Sequence, residues 1–89
     1  MDFRWNTWNI EKIETHGLKA EDAERAVLNA VGSYPLYRGD GKYLVWGKGN
    51  GGRLVQVVFI IDDDGTVYVI HARPLTEREK RRYRKRQGR

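Results

Sequence analysis

The run Leu54–Ile61 restricts the possible folds of this chain more than any other feature. Its residues are almost all β-branched or apolar, and turn sequences bracket it at Gly49–Gly52 and Asp62–Gly65. Glycine and asparagine tolerate the positive φ of tight turns, and an almost wholly apolar run of this length is typical of a strand covered on both faces. With Tyr43–Trp46 before it and Thr66–Arg73 after it, the run predicts the central strand of a three-stranded antiparallel meander.

The N-terminal third predicts one short strand and two helices. Apolar and polar residues alternate around Phe3, as in a strand that adds a fourth member at the sheet edge. Asn6 or Thr7 suits the N-cap of a first helix, which is expected to end near Gly17. A second helix is predicted over about Ala20–Ala30, because alanine and valine recur there at helical spacing.

The C-terminal part predicts a third helix. Pro74 is expected to end the last strand, because proline cannot donate a ladder hydrogen bond. Thr76 and Glu79 have the spacing of a capping box, which predicts a helix over about Glu77–Lys85 and a frayed basic tail at 86–89. The expected fold is one α+β domain of 89 residues, with two N-terminal helices, a three- to four-stranded antiparallel sheet and a C-terminal helix.

The composition argues against several kinds of site. The chain has no cysteine, so it can form neither a disulfide nor a thiolate metal site. His16 and His71 are far apart in sequence and lack companions at metal-ligand spacing, so neither a metal nor another cofactor is expected. No apolar run is long enough to cross a bilayer, and the Met-Asp-Phe-Arg-Trp start lacks an apolar signal stretch. The expected location is the cytoplasm, without membrane contact.

The positive charge is concentrated at the end of the chain. Residues 1–76 carry nine Lys or Arg against ten Asp or Glu, whereas residues 77–89 carry eight against two. Such a segment attracts phosphates over about 8 Å at physiological salt, which makes Lys80, Arg81 and Arg84 candidate phosphate-binding residues. The alternative is a solvated helix face without a ligand.

The last strand and the following helix carry the residues suited to chemistry. Regular alternation predicts four side chains on one face of the strand: Val67, Val69, His71 and Arg73. Glu79 and Tyr83 are four residues apart and therefore share one side of the helix. Arg53 begins the neighbouring strand, and antiparallel pairing is expected to bring it to the same end of the sheet. These residues are predicted to gather at the strand-to-helix junction.

Such a cluster suits metal-independent cleavage of RNA. The reaction needs a base for the 2′-hydroxyl, an acid for the leaving 5′-oxygen and a cation for the phosphorane. His71 has an ordinary pKa suited to acid or base work, Arg73 can grip two phosphate oxygens, and Tyr83 can stack on a base or donate to phosphate. Structural roles stay open: a satisfied sheet histidine, an Arg73–Glu79 ion pair, and a tyrosine that anchors the helix.

Several short motifs resemble the BrnT family of type II toxin–antitoxin toxins, over nearly the whole chain. They are Trp5-Asn6, His16-Gly17, the Asp40-Gly41 to Trp46 segment, and Ile70-His71-Ala72-Arg73 followed by Glu79 and Tyr83. The resemblance implies a RelE-like fold, metal-independent endoribonuclease activity that arrests translation, and neutralisation by a BrnA-like ribbon-helix-helix antitoxin. DNA would be contacted only indirectly, through that antitoxin.

The resemblance also implies functional residues at Arg53, Arg73, Glu79 and Tyr83. The chain departs from the family pattern at His71, where a serine is usual. It departs again at Lys19-Ala20, where a Thr-Pro type helix start is usual.

Three functional hypotheses follow from the sequence. The first is an RNA-cleaving toxin held inactive by a partner. The second is a non-catalytic module of the same fold that binds RNA or an acidic protein surface through residues 77–89. A DNA-binding regulator is the weakest of the three, because the N-terminal helices carry little positive charge.

Overall fold

The computed structural model describes residues 1–87, which form three α-helices and one five-stranded sheet. The helices are α1 (Thr7–Glu14), α2 (Ala20–Leu28) and α3 (Glu77–Gln87). The strands are β1 (Phe3–Arg4), β2 (Leu36–Gly39), β3 (Lys42–Lys48), β4 (Leu54–Ile61) and β5 (Val67–Pro74). The predicted α+β layout, with two N-terminal helices, a sheet and a C-terminal helix, is confirmed.

The strand predicted as central, β4, lies in the middle of the sheet. The strand order is β1-β5-β4-β3-β2, and every neighbouring pair is antiparallel except β1 and β5, which are parallel. The sheet is therefore mixed and has one strand more than the predicted upper limit of four. The strand that the sequence pattern did not reveal is β2, which joins β3 through a tight turn where Asp40 has a φ of 54°.

Helix α2 lies directly on one face of the sheet. Its Ala23 and Ala26 are fully buried in the same core as Val45 of β3 and Val57 of β4. The approach is closest at Gly47 of β3, where the absence of a side chain leaves room for the carbonyl group of Ala26. A small residue in the strand and small residues in the helix thus set the distance between the two layers.

Helix α1 packs against β5, and one buried asparagine fastens it there. Asn6 and Asn9 form a reciprocal capping box, with hydrogen bonds of 2.7 and 3.1 Å between side chain and backbone. The fully buried Asn9 amide also donates to the carbonyl oxygens of Arg4 (3.1 Å) and Val69 (3.0 Å). Asn9 therefore supplies hydrogen-bond donors to two carbonyl groups, one in β1 and one in β5, at the end of the short pairing of these strands.

A β-bulge in β5 changes which of its side chains share a face. Val69 and His71 pair with adjacent residues of β4, so Ile70 is an extra residue in the strand. Directly paired residues lie on the same side of a sheet. The predicted common face of Val67, Val69, His71 and Arg73 is therefore wrong. The two valines are buried on the α2 side, and His71 and Arg73 lie on the opposite side because the bulge interrupts the alternation.

The capping box predicted for α3 is confirmed. The Thr76 N–H donates to the Glu79 carboxylate at 2.9 Å, and the Glu79 N–H donates to the Thr76 hydroxyl at 3.1 Å. Pro74 is the last residue of β5 rather than a residue beyond it. The next residue, Leu75, donates its N–H to the carbonyl of Leu54 at 3.0 Å, which holds the start of α3 beside the start of β4.

Helix α3 extends to Gln87 rather than ending near Lys85. Arg86, predicted to belong to a frayed tail, lies within the helix, and its guanidinium donates to the hydroxyl of Tyr34 at 3.1 Å. This contact joins the last turn of α3 to the segment that leads into β2. The rest of the predicted tail, residues 88–89, lies outside the described residues.

Candidate nucleic-acid interface

A groove opens between α3, the start of β4 and the chain that follows α2. Its volume is about 650 Å³. The residues that line it are Asn29, Val31, Lys48, Gly52, Arg53, Leu54, Lys80, Tyr83 and Arg84. We call this feature the α3 groove.

The α3 groove is built by the helix spacing and the sheet register. Lys80, Tyr83 and Arg84 are three and four residues apart, so they lie on one side of α3. Arg53 and Leu54 come from the start of β4, which antiparallel pairing places beside the end of β5. This is the end of the sheet where the sequence predicted Arg53 to lie.

The lining of the α3 groove is strongly cationic. Its cations are Lys48, Arg53, Lys80 and Arg84, and none of the described lining residues is acidic. Arg53 contacts Asp22 at 3.3 Å and Lys80 contacts Glu77 at 3.0 Å, both carboxylates lying outside the lining. The Glu77 side chain is 77% exposed, so the Lys80 pair is weak and can exchange for a phosphate. The Arg53 guanidinium is about half exposed and pairs with the buried Asp22 carboxylate, so it can face a phosphate only while it keeps that pair.

Tyr83 forms the buried wall of the α3 groove. Its side chain is only 5% exposed, and burial, with a smaller effect of Tyr34, raises the pKa of its phenol above the ordinary value of 10. The hydroxyl therefore keeps its proton at neutral pH. Tyr83 is unsuited to act as a base, but it can donate a hydrogen bond to a phosphate oxygen.

Arg73 and Glu79 form a two-pronged ion pair at the start of α3. The Arg73 Nη1 and Nη2 atoms donate to the two carboxylate oxygens at 2.7 and 2.8 Å. Nη1 also donates to the Pro74 carbonyl at 3.1 Å, and Nη2 donates to Oε1 of Gln56 at 3.3 Å. The same Gln56 oxygen accepts the indole N–H of Trp46 at 3.0 Å, so the network joins α3, β5, β4 and β3.

This ion pair determines the protonation of Glu79. The hydrogen bonds from Arg73 lower the pKa of its carboxyl from 4.5 to about 2, even though partial burial opposes the shift. Glu79 in turn raises the pKa of the Arg73 guanidinium above its already high ordinary value. A carboxylate with so low a pKa is a poor proton acceptor at neutral pH, so Glu79 positions Arg73 and caps α3.

His71 contacts the other histidine of the chain. The His16 ring, just beyond α1, meets the His71 ring edge to face, with ring centroids 5.4 Å apart and planes at 82°. Partial burial lowers the pKa of His71 below its ordinary value of 6.5, and positive charge at His16, Arg73 and Lys12 lowers it further. His71 is therefore neutral at pH 7 and able to accept a proton.

The predicted site residues fall into three groups. The α3 groove contains Arg53, Lys80, Tyr83 and Arg84; the ion-pair network contains Arg73 and Glu79; the histidine contact contains His71. Arg81 is exposed on α3 and does not line the groove. Arg73, His71 and Tyr83 thus have different immediate partners, although His71 and Arg73 are close enough for their charges to interact.

Some lining and contact residues were not found from the sequence. Lys48 of β3 pairs directly with Leu54 of β4, and this pairing brings Lys48 into the α3 groove. In the sequence, Lys48 is marked only as a cation at the end of a strand. Asn29 and Val31 follow α2 and carry no motif. No sequence pattern indicated the contact of His16 with His71.

Residues 1–87 contain no group of three or more His, Cys, Asp or Glu side chains arranged to hold a metal ion. None of the helices in this part of the chain has the length and apolar character needed to span a membrane. Comparisons with models of known protein families, with curated proteins and with solved structures give no match. Function must therefore be inferred from the geometry and from the resemblance of the short motifs.

Proposed function

We propose that this chain binds single-stranded RNA in the α3 groove and cleaves it without a metal, as the toxin of a type II toxin–antitoxin system. The observation that carries the proposal is the groove itself, in which four cations surround a buried phenol that keeps its proton. Cationic side chains with a neutral hydrogen-bond donor match the phosphodiester backbone. The resemblance to BrnT toxins supports the same function and implies arrest of translation.

The size of the α3 groove favours a single strand over a duplex. Its volume of about 650 Å³ lies in the range of about 300–1,000 Å³ typical of sites that enclose small ligands. A short stretch of one strand fits such a space, with phosphates on Lys80 and Arg84 and a neighbouring phosphate on Arg53. Binding of this kind is largely independent of base sequence, because phosphate contacts carry no sequence information directly.

RNA is favoured over DNA by the chemistry of the neighbouring residues. Without a metal, cleavage of a phosphodiester is easiest when the adjacent 2′-hydroxyl is the nucleophile, and only RNA has this group. Tyr83 donates a hydrogen bond to a phosphate in the α3 groove, and Arg73 adds fixed positive charge beyond the groove lining. Neither residue can take the proton of the 2′-hydroxyl at neutral pH, so the base must lie elsewhere.

A second candidate function is a non-catalytic RNA-binding module of the same fold. The observation that favours it is the ion-pair network, in which Glu79, Gln56 and the Pro74 carbonyl already accept hydrogen bonds from Arg73. An arginine held in this way supports the fold whether or not RNA is cut. The groove cations serve both functions equally, so cleavage itself must be measured.

We expect the purified protein to cut long single-stranded RNA in the presence of EDTA, between pH 6 and 8.5. The products should carry 2′,3′-cyclic phosphate and 5′-hydroxyl ends, because the 2′-oxygen attacks the phosphorus. A matched DNA strand of the same sequence is the control and should stay intact. Binding of RNA with a steep salt dependence but without any cleavage would leave only the binding module.

Removing three groove cations is expected to weaken RNA binding about 100-fold. The variant Arg53→Ala/Lys80→Ala/Arg84→Ala loses three phosphate contacts worth about 1 kcal/mol each, and the slope of log K against log salt should become shallower by about 2. Fluorescence anisotropy with a labelled single strand measures the affinity and its salt dependence. The salt concentration is varied over about 50–200 mM, a range in which the affinity of phosphate-binding proteins changes strongly.

The same helix provides a matched control. Arg78, Arg82 and Lys85 are exposed on α3 outside the groove lining, so their triple alanine variant removes the same charge. This control should lose less than about tenfold in affinity, since only long-range attraction is removed. Equal losses in the two triple variants would mean that the basic helix attracts RNA without a defined site, and the groove proposal would fail.

The proposed partner is a BrnA-like ribbon-helix-helix antitoxin, through which DNA is contacted only indirectly. Expression of the chain alone should stop growth and protein synthesis. Co-expression with a small ribbon-helix-helix protein encoded in the adjacent reading frame should restore both. Arrest that such a neighbour does not relieve would argue against this kind of partner.

A further inference from the structure

The contact between His16 and His71 joins two elements that are distant in sequence. His16 lies in the turn after α1, and His71 follows the extra residue of the β5 bulge. Bulges commonly redirect a side chain next to a functional site. Here the bulge places His71 on the same side of the sheet as Arg73, two residues further along, and His16 completes the pair with ring centroids 5.4 Å apart.

Within residues 1–87, neither histidine side chain is held by a hydrogen bond to the protein. Every buried side-chain nitrogen and oxygen in the described residues has a hydrogen-bond partner. The two imidazoles contact each other edge to face and have no such protein partner within residues 1–87; His16 is exposed and His71 is partly exposed. A structural histidine in a core usually has its ring nitrogens satisfied by the protein.

The charged groups that lower the pKa of His71 are all cations. The groups that act on His71 are Lys12 and His16 from α1 and its following turn, and Arg73 from β5. Its partner in β4 is the apolar Val58. Burial and these cations keep the His71 imidazole neutral at pH 7, although the Arg73 charge is itself paired with Glu79.

We propose that His71 and His16 are the proton-transfer pair of the RNA cleavage proposed above, and this inference rests on that function. His71 takes the proton of the 2′-hydroxyl as the 2′-oxygen forms its bond to phosphorus. His16, in its protonated form, gives its proton to the 5′-oxygen as the P–O5′ bond breaks. The products are a 2′,3′-cyclic phosphate and a 5′-hydroxyl. One proton is accepted and one is donated, so no other reactant is needed.

Substitution of either histidine should lower the rate of cleavage strongly and leave binding intact. His71→Gln and His16→Gln are expected to reduce kcat about 100- to 10,000-fold, the usual contribution of general acid–base catalysis. Affinity for a strand with 2′-deoxy sugars, which binds but is not cut, should change less than about threefold, because the α3 groove is untouched. Thermal unfolding checks that both variants are folded.

The dependence of kcat on pH distinguishes proton transfer by the histidines from a purely structural role. Wild-type kcat should rise with pH through the pKa of His71, below 6.5, because the base must be neutral. Lys12→Gln removes one of the charges that lower this pKa, so the rising limb should shift to higher pH. An NMR titration of the His71 ring should show the same upward shift.

The outcomes separate this inference from the function on which it rests. If wild type cuts no RNA, the proposed function fails and this inference fails with it. If wild type cuts RNA while both glutamine variants keep more than about half of its rate, only the histidine pair is rejected. If a glutamine variant does not fold, the Lys12→Gln profile decides, and an unmoved rising limb rejects the pair.

Discussion

Replacement of Arg73 by alanine is expected to lower the free energy of unfolding by about 3 kcal/mol at pH 7. The substitution leaves the Glu79 carboxylate, whose side chain is 20% exposed, without its cation. Loss of one partner from a largely buried ion pair costs about 3–5 kcal/mol, and partial exposure places this pair at the lower end. The fall of the Glu79 pKa from 4.5 to about 2 corresponds to about 3 kcal/mol by linkage, of which the hydrogen bonds from Arg73 supply the largest part and those with Thr76 a smaller part.

The same ion pair predicts how stability depends on pH. Because folding lowers the pKa of Glu79, its contribution is fully present above pH 4.5 and is lost as the pH falls toward 2. The difference in stability between wild type and Arg73→Ala should therefore be largest at neutral pH. It should shrink steadily below pH 4.5 and be largely gone near pH 2.

Urea unfolding followed by tryptophan fluorescence measures this difference in stability. Measurements at about pH 7, 4 and 2.5 span the range in which a carboxyl group with a lowered pKa titrates. The melting temperature should also fall by roughly 12–24 °C for a domain of this size. Arg25→Ala is the matched control, because Arg25 pairs with Glu21 on the exposed side of α2, with both side chains more than half exposed. Its cost should stay below about 0.5 kcal/mol. Equal costs for the two variants would contradict the structural role of the Arg73 pair.

This prediction affects how functional tests of Arg73 are read. A destabilised Arg73→Ala protein loses activity through unfolding as well as through any loss of contact with phosphate. Cleavage by this variant must therefore be measured well below its melting temperature and normalised to the folded fraction. The double variant Arg73→Ala/Glu79→Ala should be less destabilised than the sum of the single variants, because the first substitution leaves the carboxylate unpaired.

Sequence alone predicted the elements whose signals are local. The strand Leu54–Ile61 has the bounds expected from its apolar run, because turn residues stop it at both ends. The capping box of Thr76 and Glu79 depends only on two side chains three residues apart, and it forms as expected. In contrast, β2 was missed because Leu36–Gly39 has no alternating pattern and is stabilised by pairing with β3.

The candidate site was predicted only in part, because the rest depends on long-range geometry. Antiparallel pairing was sufficient to place Arg53 beside the end of β5. The bulge at Ile70 has no sequence signal, and it moved His71 to the other face of the strand from the one expected. The contact between His16 and His71 depends on how α1 packs against β5. The two residues are 55 positions apart in the sequence, and no local pattern indicates such packing.

Replacement of Gly47 by alanine is expected to lower the free energy of unfolding by about 3 kcal/mol, the upper end of the usual cost of overpacking. A Cβ atom at this position would overlap the carbonyl oxygen of Ala26, which belongs to helix backbone and cannot rotate away. Only a shift of α2 from the sheet relieves the overlap, and such a shift opens the core.

The matched control for this change is Gly17→Ala. Gly17 has a φ of 75° and open space around its Cα, so alanine there meets backbone strain without a clash and should cost only about 1–2 kcal/mol. The two variants thus separate close packing from conformational strain in the same assay, urea unfolding at pH 7. If Gly47→Ala were as stable as Gly17→Ala, α2 would not lie on β3 as closely as the structure indicates.

The Gly47→Ala variant also tests whether the distance between α2 and the sheet affects the α3 groove. Helix α2 positions Asn29 and Val31 in the groove lining, and its Asp22 contacts Arg53 at 3.3 Å. A shift of α2 should therefore displace one wall of the groove in whatever fraction of Gly47→Ala remains folded. We expect that fraction to bind single-stranded RNA at least about threefold more weakly, whereas Gly17→Ala should bind like wild type. Unchanged binding by folded Gly47→Ala would show that the α2 side of the groove does not contact the strand and that α3 and β4 hold it alone.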